Sequence, residues 1–292
     1  MPRERSLLRT IEDVYARLRL LSIDVALAAL GGGVMASRLS DGRPSAAFYL
    51  LLPLAVWVVY TLDHLMDAAR VGMAASTPRH RFHFQYATAL TVPAMVLGIV
   101  CIAGGLLWLR PTTLLCGGAV AVLFGLHELL VKLAGGRVSV FLTKELGVAA
   151  IFTAGTWGVP LAAALAAHRD LRPVILPAAQ YLLLALANLL ILSIFEARAD
   201  ARAGQSSFVQ AIGRRRATIL CEAALAIALI LGVPALLLDS THGQWLAQGI
   251  YLAMTIGLSL ITRFPQKLAR RERYRSLGDG VFLLPLLMAA VR

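Results

Sequence analysis

The sequence predicts an all-α bundle of about nine transmembrane helices, and three observations carry that reading. Of its 292 residues 59% are hydrophobic, with a mean hydropathy of +0.74, whereas soluble domains are ~45–50% apolar. Apolar runs close to the ~20 residues that a spanning helix needs recur along the whole chain. The segments between them are short and rich in Arg and Lys, as cytoplasmic loops of membrane proteins are.

The runs occupy 18–38, 45–62, 84–109, 112–131, 139–165, 173–195, 217–238, 244–262 and 277–291. The last is short and carries Asp279 and Gly280 near its start. Brief connections predict antiparallel neighbours in a single domain over 1–292, with no linker. Gly31-Gly32-Gly33, Gly104-Gly105 and Gly117-Gly118 offer places for helices to approach closely. Ahead of the first run stand Arg3, Glu4, Arg5, Arg9, Glu12 and Asp13, a poor signal peptide. The first run is therefore expected to stay as a spanning helix. Cys101, Cys116 and Cys221 all fall in apolar runs without C-x-x-C spacing and read as small core residues.

The net charge of +12 follows membrane topology rather than nucleic-acid binding. With the N-terminus inside, Arg38, Arg43, Arg110, Arg169, Arg172 and Arg292 alone fall outside, out of 28 Lys and Arg. This bias predicts a cytoplasmic N-terminus in a bacterial-type inner membrane.

Two acidic clusters close apolar runs on that cytoplasmic side. One spans Tyr60 to Arg70 and contains Asp63 and Asp67; the other spans Phe195 to Gly204 and contains Glu196 and Asp200. Carboxylates four apart share one helix face, one turn apart, and repel unless a cation offsets them. The clusters close the second and sixth runs, which hints at an internal duplication whose axis would set the acidic ends face to face. Facing carboxylates suit Mg²⁺, which takes one or two of them and completes its shell with water and phosphate. Arg and Lys would neutralise the remaining charge of a diphosphate. If the attached group is an allylic prenyl chain, ionisation gives a carbocation that an apolar cavity keeps from water.

These residues resemble the UbiA superfamily of intramembrane prenyltransferases. Its first motif reads N-x-x-x-D-x-x-x-D, and Asp63 and Asp67 match the two later acids. Its second reads D-x-x-x-D with Gly four residues on and then Ser or Thr; Glu196, Asp200, Gly204 and Ser207 follow that register. Ile212-Gly213 is similar to the step into the family's seventh helix, Lys144 falls where many members have Lys, and Gly155 and Pro160 fall near its later Gly and Pro. Val59 stands in place of the Asn, Tyr60 where many members have Asp, and Glu145 where many have Arg, which makes this an outlying branch. The resemblance implies Asp63, Asp67, Glu196 and Asp200 as catalytic Mg²⁺ ligands. It implies a prenyl diphosphate donor and an aromatic or lipophilic acceptor, and nothing in the sequence implies an obligatory protein partner.

Around these acids, Lys144, Arg79, Arg81 and Arg70 are candidate diphosphate contacts, against the blander reading of interfacial charge. Tyr60 and Trp57 could turn ring faces to a cation, or to lipid. Asn188, eight residues before Glu196, could bind substrate or bridge helices. Asp24 puts a charge inside the first run, with a buried cation or the acceptor as its open partners. Asp279 reads as a helix N-cap. His80 and His83 lack a third zinc ligand, and His127-Glu128 is not followed by a second His at H-E-x-x-H spacing. No P-loop, G-x-G-x-x-G or G-x-S-x-G motif occurs. Two rival readings remain at this stage: a cation- or proton-coupled transporter, and an inactive prenyl-lipid-binding homologue.

Overall fold

The computed structural model describes residues 14–71, 78–133, 138–202 and 207–290. Among them there is no strand. Residues 14–20 are helical and break at Ser22, which takes a left-handed φ of 54°. There follow α1 (Ile23–Ser40), α2 (Ala46–Val71), α3 (Pro78–Gln85), α4 (Ala87–Trp108), α5 (Pro111–Leu133), α6 (Val138–Ala166) and α7 (Arg172–Arg202). Then come α8 (Phe208–Ile212), α9 (Arg214–Ile230), α10 (Gly232–Leu238), α11 (His242–Arg263) and α12 (Pro265–Ala269). The described chain ends with a 3₁₀ turn (Arg270–Glu272), α13 (Arg273–Gly280) and a 3₁₀ segment (Val281–Ala290).

Counting α9 and α10 as one, eight helices among the described residues are long and apolar enough to cross a membrane. This is the make-up of an integral membrane protein. The ninth apolar run is helical but differently built. Its first part lies in α13, and Val281–Ala290, with Pro285 inside, has the tighter 3₁₀ winding. The run is therefore not one long α-helix.

The core forms where small side chains let helices close up. The buried Ala185, Ala187 and Ile191 of α7 meet Ala217, Cys221, Ala224 and Ala228 of α9, with Met254, Leu258 and Ile261 of α11 behind them. One polar lock joins these three helices. Gln180 Nε2 donates to Ala228 O (2.8 Å) and to Gln248 Oε1 (2.9 Å), and Gln248 Nε2 donates back to Gln180 Oε1 (2.8 Å). Such amide pairs satisfy groups that an apolar surrounding would otherwise strand.

Helix α1 is the central post, and its glycine run explains how. A Cβ on Gly31 would lie 3.2 Å from the Leu286 backbone N, one on Gly32 would meet Tyr181, and one on Gly33 would lie 3.1 Å from Leu52. Three neighbours thus close on one helix: the final 3₁₀ segment, α7 and α2. Gly117 and Gly118 differ from expectation, since a Cβ there meets nothing within 4 Å. They belong to α5, which packs mainly on α6 and turns Leu115, Val122 and Leu126 outward. Outward leucines are ordinary where lipid is the solvent.

The up-and-down order brings the C-terminal ends of α2 and α7, the N-terminal end of α6, α3 and α13 to one end of the bundle. At the opposite end, Arg169 Nη2 pairs with Asp41 at 2.7 Å and ties the α6–α7 connection to the α1–α2 connection.

Candidate functional site

A cavity of about 330 Å³ opens at the end where the acidic clusters lie. Its mouth carries Asp63 and Asp67 from α2, Arg79 from α3, Lys144 and Glu145 from α6, Glu196 from α7, Ser207, and Arg275 and Asp279 from α13. Its floor is apolar: Val25 and Ala28 from α1, Val148, Ala149 and Phe152 from α6, Ala185, Leu189 and Leu192 from α7, and Phe282. Below the floor, Tyr181 stacks on Phe152 with centroids 6.1 Å apart and meets Phe282 edge-on at 5.7 Å. The space is charged at one end and aromatic and aliphatic at the other.

Each polar group arrives by its helix's position. Asp63 and Asp67 follow the long apolar stretch of α2 and are half-buried. His64 between them is buried, with Nδ1 3.6 Å from Asp63 Oδ2 and its ring edge-on to His83 at 5.1 Å. His83 Nδ1 donates to the Arg79 carbonyl within α3 at 3.0 Å, and the His64–His83 ring contact seats α3 against α2. Burial, and then the nearby Arg275, push the Arg79 guanidinium below its ordinary range. Glu196 accepts from Tyr274 OH at 3.2 Å and is ion-paired with Arg275 Nη2. Asn188 Nδ2 donates to Asp279 Oδ1 at 3.2 Å.

Asp63, Asp67, Glu196, Lys144, Arg79, Tyr60 and Asn188 therefore line one cavity. Arg81 is exposed and is not part of the lining. The side chains of Asp200 and Arg70, like that of His80, lie outside the described residues. Trp57 does not face the cavity; its Nε1 donates to Leu21 O at 2.8 Å and fixes α2 to the entry of α1. Asp24 is buried beside the floor, accepting from Val25 N (3.0 Å) and from Tyr15 OH (3.5 Å).

Sequence reasoning missed Arg275 and Asp279. Arg275 was one of many basic residues near a membrane edge. Asp279 is not an N-cap, because it sits near the end of α13. The available signal was their spacing of four on one short helix, which points both at the same neighbour.

Several groups in this cavity still have hydrogen-bonding capacity. Arg79 Nε, Asn188 Oδ1 and Ser207 Oγ are buried and have no partner among the described residues. Such atoms are costly unless water or a ligand completes them. Among the described residues no group of three or more His, Cys, Asp or Glu could hold an ion by itself. Mg²⁺ commonly binds through one or two carboxylates plus substrate phosphate. The oxygens of Asp63 and Asp67 suit such an ion, and Arg79, Lys144 and Arg275 suit the phosphate.

No family model, no curated protein and no solved structure matches the chain.

Proposed function

We propose that the chain is a Mg²⁺-dependent intramembrane prenyltransferase of the UbiA kind. It would move a prenyl group from its diphosphate to an aromatic or lipophilic acceptor, with the cavity mouth on the cytoplasmic face of a bacterial-type inner membrane. The observation that carries the reading is the polarity of the cavity: acids with Arg and Lys at the mouth, Phe152, Phe282 and aliphatic side chains at the floor. A prenyl diphosphate has the same two ends. Four of the long helices, α1, α2, α6 and α7, line this space with α3 and α13, and we read the 3₁₀ segment packed along α1 as the ninth leg of the bundle.

A bound Mg²⁺ supplies Lewis-acid stabilisation of the leaving diphosphate. Asp63 and Asp67 are the residues that would hold it. Arg79 and Lys144 bind phosphate oxygens and spread the charge that grows as the C1–O bond breaks. The diphosphate departs with that bond's electron pair, leaving an allylic cation over the apolar floor. Phe152 and Phe282 exclude water there, and Tyr60 offers a ring face to the cation. The acceptor supplies the electron pair for the new bond and loses its proton to a carboxylate at the mouth.

The test is a product assay on purified protein in liposomes. Labelled geranyl, farnesyl and geranylgeranyl diphosphates are supplied with Mg²⁺ and a pool of candidate acceptors. Mg²⁺-dependent diphosphate release is expected, falling about 100-fold or more in Asp67→Asn, as befits a group that stabilises developing charge. Release that survives Asp67→Asn removes this carboxylate from the chemistry. If no donor binds and none is consumed, the prenyltransferase reading falls and ion flux in the same vesicles becomes the next assay.

A further inference from the structure

The two acidic clusters are not equivalent. Glu196 is already engaged from two sides by consecutive residues of α13: its Oε1 is paired with Arg275 and accepts from Tyr274 OH at 3.2 Å. This arrangement is braced. The Tyr274 ring stacks on Phe195, the residue before Glu196, with centroids 4.3 Å apart and planes 12° apart. Arg275 is only 7% exposed. A carboxylate whose charge is neutralised by a buried guanidinium is a poor ligand, because a metal would have to displace the cation and leave it buried without a partner.

The guanidinium keeps further N–H groups, since an Arg has five donors in a planar fork. Arg275 lines the cavity together with Arg79, whose Nε has no partner among the described residues, and Lys144. A second, much smaller space between Arg79 and Arg275 is closed by Arg19 and Glu272. Arg79 and Arg275 thus meet at the α3–α13 side of the mouth, Lys144 lines the same cavity from α6, and Asp63 and Asp67 stand on α2.

We infer that the Arg275–Glu196 pair is a resident substitute for a metal ion. Glu196 does not ligate metal, and Arg275, with Arg79 and Lys144, grips the diphosphate directly. The chain then needs divalent metal only at the Asp63–Asp67 side. This rests on the prenyl diphosphate reading and gives it a single-metal form. No bond is made or broken in this step; it concerns only how charge is balanced.

The experiment separates metal from diphosphate. Mn²⁺ binding to purified protein is followed by electron paramagnetic resonance, and inorganic diphosphate binding by calorimetry in EDTA. Asp67→Asn should weaken Mn²⁺ binding about 10-fold or more, whereas Glu196→Gln should change it by less than about 2-fold. Metal-free diphosphate binding should be measurable in the wild type and fall about 10-fold or more in Arg275→Gln. Because Arg275→Gln strands Glu196, the double variant Glu196→Gln with Arg275→Gln is run beside it, with helix content and elution as folding checks. Loss of metal-free diphosphate binding in the folded double variant supports the inference, and its retention overturns it. A Glu196→Gln variant that loses Mn²⁺ as fully as Asp67→Asn also overturns it, with the prenyl diphosphate reading intact. If diphosphate binds neither with metal nor without it, that reading fails, and this inference with it.

Discussion

Gly32 sets how closely α1 can lie against α7 at the floor of the cavity. A Cβ there would stand 2.5 Å from the Tyr181 hydroxyl oxygen, 3.0 Å from its Cζ and 3.1 Å from Thr156 Cβ. Tyr181 cannot swing aside, because it is fully buried among Phe152, Trp157 and Phe282. Overpacking of this kind costs about 1–3 kcal/mol. Gly32→Ala is therefore expected to lower stability by about that amount, measured by thermal or denaturant unfolding in detergent. Gly117→Ala is the control: with nothing within 4 Å of its Cβ, it should shift stability by no more than about 0.5 kcal/mol. Equal losses in both would remove close packing as the reason for Gly32. At this scale the sequence is half legible. A Gly-Gly-Gly run announces close contact, but Gly117-Gly118 has the same appearance and meets no neighbour. Which glycines touch is decided by helix placement.

The last segment is an element held in place from outside itself. Arg271 and Glu272 both take left-handed conformations, with φ of 55° and 53°, directly before α13. For ordinary residues each such conformation costs about 1–2 kcal/mol. Arg19 offsets part of this cost, with Nη2 at 2.7 Å from Glu272 Oε2 and Nη1 at 3.3 Å from Glu272 O. The turn then delivers Arg275 to the cavity. Arg19→Ala should loosen the turn, read as faster amide hydrogen exchange across 270–280 and a weaker grip on diphosphate at the site Arg275 serves. Unchanged exchange would mean that α13 is positioned by its own packing on α7 and α11. Nothing in the local sequence announces this turn: 270–275 reads as positive-inside charge, and the apolar run from 277 reads as one more span. The clamp depends on a contact made more than 200 residues apart in sequence, between Arg19 and Glu272. The 217–238 run, by contrast, reads as one span and is one, with Leu231 between α9 and α10 keeping helical backbone.

For the whole molecule, hydropathy alone made eight long helices legible, because lipid demands apolar length and little else. Much of the candidate site was legible for a related reason: carboxylates at a spacing of four are conspicuous after an apolar run. Arg275 and Asp279 enter only when the chain returns to α1 at its far end. The orientation of the bundle follows from charge and has a direct test. The cavity mouth and the exposed Arg214, Arg215 and Arg216 at the start of α9 share one end, and the exposed Arg43 and its partner Asp41 share the other. Basic residues are retained on the cytoplasmic side during insertion, so the mouth should face the cytoplasm. Single-cysteine variants in a Cys101, Cys116 and Cys221-free background report this with a membrane-impermeant maleimide. In intact cells with a permeabilised outer envelope, Arg43→Cys should label at once, and Arg216→Cys only after the inner membrane is opened. The reverse pattern would place the Arg79, Lys144 and Arg275 cluster on the outer face, away from soluble diphosphates, and would count against a diphosphate substrate more strongly than the loss of any one residue.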